Sequence, residues 1–116
     1  MIEITRKNYK TLYNSLKASA KKRNIEFNLT LHEFNRITIP ITCPVLNIPI
    51  FFNNGRVQDN SISFDRKDSS KGYSFDNIVV VSFRVNKLKS NATFDEIEKI
   101  YLFYSNLKKE DEFSSS

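Results

Sequence analysis

Apolar residues recur at helical spacing near the start of the chain. Tyr9, Leu12, Tyr13, Leu16 and Ala20 fall on one face with lysines on the other, which predicts an amphipathic helix from about Thr5 to Arg23. Asn24 tolerates the left-handed conformation and marks the stop. Thr30-Leu31-His32-Glu33 has the spacing of a capping box and opens a short helix to about Arg36. From Ile37 to Phe52 the chain is apolar but interrupted by Pro40, Pro44 and Pro49, so it reads as extended backbone with tight turns. Asn53-Asn54-Gly55 is a turn signal, and Arg56 to Asn60 a polar loop.

The period then changes from helical to alternating. Ser61 to Asp65 alternates polar and apolar, as a half-buried strand does. A polar loop, Arg66 to Gly72, precedes Tyr73 to Asn77, and Ile78-Val79-Val80-Val81 is a β-branched strand expected to be buried on both faces. Ser82 can cap a helix over about Phe83 to Ser90. Thr93-Phe94-Asp95-Glu96 is a second capping box, opening a helix with Ile97, Ile100, Tyr101, Tyr104 and Leu107 on one face. Those aromatics read as core rather than as a platform for stacking bases, and the chain from Glu110 to Ser116 reads as a disordered tail.

With 116 residues, 40% of them hydrophobic and including ten Phe and five Tyr, the chain holds one core: a single domain over 1–109, followed by the tail at 110–116. The longest apolar run is four residues, Ile78 to Val81, far short of a membrane span, and Met1-Ile2-Glu3-Ile4 lacks the features of a secretory signal. The lone Cys43 excludes an internal disulfide and a multi-cysteine zinc site, and reads as a small buried hydrophobe. These features place the chain in the cytoplasm.

A formal charge of +5 favours polyanionic partners. Basic residues cluster at Arg6 to Lys10, Lys17 to Arg23, Arg66 to Lys71 and Arg84 to Lys89, while acidic ones concentrate at Asp95 to Glu98 and Glu110 to Glu112. The Lys21-Lys22-Arg23 run either complements the helix dipole or touches phosphate. No phosphate-binding glycine loop, nucleotide fingerprint or Ser-His-Asp order is present, so no nucleotide cofactor is expected. Gly72 reads as a turn residue, and the single histidine, His32, as a surface helix residue.

Strand, polar loop, strand and helix over about 61–90 make a compact ββα unit. Asp65 ends its first strand and Asn86 lies one turn into its helix, so both can face one pocket and offer oxygen to a hard divalent cation. The bland alternative is that Asp and Asn beside loops make turns of their own.

The residues carry a resemblance. Ser63-Phe64-Asp65-Arg66-Lys67-Asp68, Lys71-Gly72-Tyr73, Asp76-Asn77-Ile78-Val79-Val80-Val81-Ser82 and Arg84-Val85-Asn86-Lys87-Leu88-Lys89-Ser90 resemble the core of small HNH-like (ββα-metal, His-Me finger) endonucleases of bacteriophages. Cys43-Pro44-Val45-Leu46-Asn47-Ile48-Pro49-Ile50 resembles the stretch preceding that core, and the arrangement is distantly similar to recombination endonuclease VII. The resemblance covers about Ala18 to Leu107. It implies an α+β fold, a ββα-metal core with an N-terminal helix and a C-terminal helix packed across it. It also implies one divalent metal ion, Mg²⁺ or Mn²⁺, DNA as partner, and a phage-infected bacterial cell as setting.

Carried over by position, Asp65 and Asn86 are the metal ligands, Asn77 braces the loop, and Lys67, Lys71, Arg84, Lys87 and Lys89 contact phosphates. Arg66 stands where the general-base His is usual, and an arginine does not give up its proton near neutral pH. Three readings of Arg66 stand side by side. It grips the scissile phosphate while metal-bound water deprotonates itself or uses Asp68; or it marks a domain that holds DNA without cutting it; or Asp65, Arg66 and Asp68 form a surface salt-bridge cluster worth at most about 1 kcal/mol. The function expected is a metal-dependent DNA endonuclease or nickase. The alternative is an inactive HNH-like protein that binds DNA or inhibits a host protein. The oligomeric state is not legible.

Overall fold

The computed structural model describes residues 6–53 and 55–114. The Met1–Ile4 stretch, the start of the first helix at Thr5, Asn54 of the turn signal and the last two residues of the expected tail lie outside them. The architecture is α+β: α1 (Arg6–Lys22), α2 (Leu31–Phe34), β1 (Ile62–Arg66), β2 (Ile78–Ser82), α3 (Phe83–Lys89) and α4 (Phe94–Ser114). β1 and β2 form one antiparallel pair, registered Ile62 with Ser82 and Arg66 with Ile78, and α3 lies against both strands.

Local chemistry sets most boundaries. Asn24 adopts φ 57° just past α1, the left-handed stop expected of it. Thr30 accepts from the Glu33 amide at 3.1 Å while the Glu33 carboxylate accepts from the Thr30 amide at 3.0 Å, completing the capping box. Thr93 and Glu96 repeat it at 3.1 and 2.9 Å. Ser82 accepts from the Val85 amide at 3.3 Å and starts α3 immediately after β2.

The core is a run of aromatic rings centred on Phe34, which is fully buried. Its ring lies 4.9 Å from Phe64 of β1 and 5.5 Å from Tyr13 of α1, so one side chain joins three elements. Tyr9 and Tyr13 keep their hydroxyls satisfied by donating to Ile37 O and Leu29 O, each at 2.7 Å. Burial lifts the Tyr9 phenol above its usual value. The proline-punctuated middle is extended, with a tight turn at Cys43 to Ile48 in which Asn47 takes φ 61°. Cys43 is buried as expected, and its Sγ accepts from the Ser82 amide at 3.3 Å. Burial pushes the Cys43 thiol up, but amides of Leu46, Ser82 and Val45 and the Ser82 hydroxyl outweigh that and leave it lowered.

Two expectations differ from what is seen. α4 does not pack across the hairpin, and its aromatics are not core: Phe94 is 82% exposed and Tyr101 66%. The helix also continues through Glu110 to Ser114, where a disordered tail was expected. The described residues extend 57 × 29 × 23 Å with a radius of gyration of 16.8 Å, against about 13 Å for a compact chain of this length.

Candidate functional site

β1 presents Ser63 and Asp65 on the same side, two residues apart, and α3 presents Asn86 and Lys89 on the facing side, three residues apart. The two pairs meet. The Asn86 amide donates to the Ser63 hydroxyl at 2.7 Å and to the Phe64 carbonyl at 3.3 Å. One turn on, the Lys89 ammonium lies 3.1 Å from Asp65 Oδ2, 3.3 Å from Oδ1 and 3.3 Å from the Arg66 carbonyl. Asp65 is buried, and its Oδ1 also accepts from the Arg66 amide at 2.8 Å.

Asp65 and the Arg66 carbonyl thus form an all-oxygen nest that holds a cation, the lysine ammonium. Donors of this chemistry fit a hard divalent ion. Asn86 borders the groove between α1 and the hairpin, whose lining does not include Asp65, so the two are not brought to one pocket. Among the described residues, no three His, Cys, Asp or Glu side chains converge, so a metal here would have one carboxylate, one backbone carbonyl and, for the rest, water or phosphate.

The loop between the strands is braced from within. Asn77, buried at the end of a 3-10 turn (Phe75–Asn77), accepts from the Asp68 amide at 3.0 Å and donates to the Gly72 and Asp68 carbonyls at 2.8 and 3.2 Å. Arg66 turns the same way. Its guanidinium donates to the Ser69 and Lys71 carbonyls, each at 2.8 Å, and lies 5.6 Å over the Tyr73 ring. Asp65 pairs with Lys89 rather than with Arg66, so the three-residue salt-bridge cluster is not the arrangement formed. The Asp68 carboxylate accepts from the Ser70 hydroxyl at 2.6 Å and the Ser70 amide at 2.9 Å, which hold its pKa below the usual aspartate value. His32 sits exposed on α2, away from the hairpin.

The basic residues border different clefts. Lys87 pairs with Asp59 at 2.9 Å and borders an open groove of about 780 Å³ between α1 and the hairpin, along with Asn86, Arg23 and Arg56. Lys67 borders a separate cleft beside Arg36. Lys71 and Arg84 are exposed. Sequence reasoning missed the lysine in the Asp65 nest, assigning Lys89 to phosphate. Its position three residues after Asn86, on the same helix face, was the available signal. It also missed Ser63 as the partner of Asn86 and the groove arginine Arg56.

Among the described residues, no helix is long and apolar enough to cross a membrane. No protein-family model matches the chain, and no solved structure matches it. Over 87 residues, 74% of its length, it is 34% identical to a protein of Enterobacteria phage T4 described as an uncharacterized 29.0 kDa protein in the dda-modA intergenic region. The chain spans about a third (34%) of that relative's length.

Proposed function

We propose that the chain acts on DNA through its ββα unit, as a metal-dependent endonuclease or nickase of the HNH type in a phage-infected cell. The observation that carries the reading is the oxygen nest at the end of β1. Asp65 and the Arg66 carbonyl seat a positive charge directly beneath α3, with Asn86 one turn away. Asp65 and the Arg66 carbonyl would hold Mg²⁺ or Mn²⁺, which when bound polarises a phosphodiester and stabilises the leaving oxygen. The protein's own part is positional. Asn77 and Arg66 hold the 67–77 loop closed over the strand ends, so the Asp65 carboxylate is kept in place by its neighbours. Lys67, Lys71, Arg84 and Lys87 supply phosphate contacts that do not depend on base sequence.

A second reading is favoured by one specific observation: Arg66, standing where a general base is usual, is spent on loop carbonyls and cannot take a proton. The Asp68 carboxylate is in its base form, but the Ser70 hydroxyl and amide that lower its pKa make it a weak proton acceptor. In that reading the unit holds DNA, or a host protein, without cutting, and Lys89 is the permanent occupant of the nest.

A supercoiled-plasmid assay with Mg²⁺ or Mn²⁺ separates the two. Nicking is expected from the wild-type chain and is lost in Asp65→Ala and in EDTA. A folded protein that retains DNA in a salt-sensitive way and never nicks it transfers the function to the second reading.

A further inference from the structure

The groove of about 780 Å³ between α1 and the hairpin is one-sided in its chemistry: its lining carries Arg23, Arg56 and Lys87 and no carboxylate. Lys87 is paired with Asp59, which lies outside the lining, so three cations and that one anion leave a balance of two positive charges. Aromatic rings share the lining with them. Phe83 carries the Lys87 ammonium 5.4 Å over its ring, and Phe51 is 47% exposed. Phe51 does not owe that exposure to a loose loop. Its amide donates to the Asn60 carbonyl and its carbonyl accepts from the Ile62 amide, both at 2.9 Å. On the opposite wall Ser15, Ser19 and Arg23, all exposed, stand at steps of four along one stripe of α1.

We propose, resting on the reading that the chain acts on DNA, that this groove takes a single strand, with phosphates on Arg23, Arg56 and Lys87 and a base stacked on Phe51. Cations without carboxylates select a polyanion. The exposed ring then chooses among polyanions, because a nucleobase offers it a flat face and an acidic peptide offers only carboxylates. It also rejects the paired form. Away from its ends a duplex covers both faces of every base with neighbouring bases, so only an unpaired base can turn one to Phe51. Length agrees: from Ser15 to Arg23 the α1 wall runs about 12 Å, room for about three or four phosphates at about 3.4 Å each. The Ser15 and Ser19 hydroxyls are donors suited to those phosphates. Asn86 and Lys87 border the groove from α3, and Lys89 of that helix sits in the Asp65 nest, so a strand held here runs beside the same helix.

Fluorescence anisotropy of the whole chain in EDTA, with a labelled mixed-sequence strand of about 16 nucleotides alone and annealed to its complement, tests the groove apart from any cleavage. The single strand is expected to bind at least tenfold tighter than the duplex. Arg56→Glu should weaken it at least tenfold, and Phe51→Leu, which keeps apolar bulk and removes the ring, about fivefold. The chain contains no tryptophan, so Phe51→Trp supplies a single reporter whose emission is expected to fall as a base stacks on it. Equal affinity for strand and duplex overturns the proposal, as does tryptophan emission unchanged at saturation. So does a polyglutamate of similar length that binds as tightly as the strand, since the groove would then read charge alone. Plasmid nicking by a chain that does not hold the strand overturns the groove and leaves the endonuclease standing, whereas strand binding without nicking does the reverse.

Discussion

Lys89 either fills the Asp65 nest for good or keeps it for a metal, and the two roles differ in what happens when the ammonium is removed. The pair is largely shielded from water, with side chains 19% and 11% exposed, so the charge on Lys89 opposes a second cation strongly. Lys89→Gln should therefore raise Mn²⁺ affinity by about tenfold, the effect of roughly 1.4 kcal/mol of relieved repulsion. Asp65→Asn should abolish binding, and isothermal titration of the three proteins reads both. An affinity that neither substitution moves would place the ion elsewhere. Protonation acts on the adjoining loop. Asp68 is held below the ordinary aspartate value by the Ser70 hydroxyl and amide, and Asp76 by the Ser74 hydroxyl and its own amide. A carboxylate whose folded pKa is depressed stabilises the fold above its unfolded value, and that contribution is lost as pH falls through the folded one. The 67–77 loop should consequently loosen below about pH 4 while the Phe34 core holds. Amide NMR signals of Ser70 and Asn77 followed from about pH 6 to about pH 2 should shift before those of β2; simultaneous loss of both would deny the loop a transition of its own.

At the scale of elements, the hairpin is tied to the segment after α1 by two backbone hydrogen bonds, beside the Phe27–Tyr73 ring contact and the Arg23–Tyr73 hydrogen bond. The Tyr73 amide donates to the Glu26 carbonyl and the Asn28 amide to the Tyr73 carbonyl, both at 2.8 Å, with Gly72 at the closest approach. A Cβ at Gly72 would lie 2.8 Å from the Glu26 Cβ and closer still to the Glu26 carbonyl oxygen. Gly72→Ala should cost about 1–3 kcal/mol in urea unfolding, whereas a neutral result would mean that the seam gives way freely. Such approaches are invisible in sequence, where Gly72 reads only as a turn residue. What was legible is whatever neighbouring residues decide: the Asn24 stop, both capping boxes, the Ser82 cap and the alternation of β1. What was not legible depends on distant partners. Arg66 reaches carbonyls three and five residues away, Lys89 reaches across from another element, and the periodicity of α4 is the same whether its apolar face meets the core or stands in solvent.

For the molecule as a whole, the aromatic core and α4 are two regions that scarcely touch. Removing Phe34 takes the centre from the aromatic cluster, and Phe34→Ala should cost about 3–5 kcal/mol, enough to unfold much of a domain of marginal stability. Removing α4 takes away no buried core side chain, since the core cluster runs from Ala20 to Val81. A chain ending after Ala92 should hence unfold in urea within about 0.5 kcal/mol of the full chain when both are dilute. A shortened chain that fails to fold would make α4 a structural element of the monomer, and its apolar surface would then have to be explained by contacts within one chain.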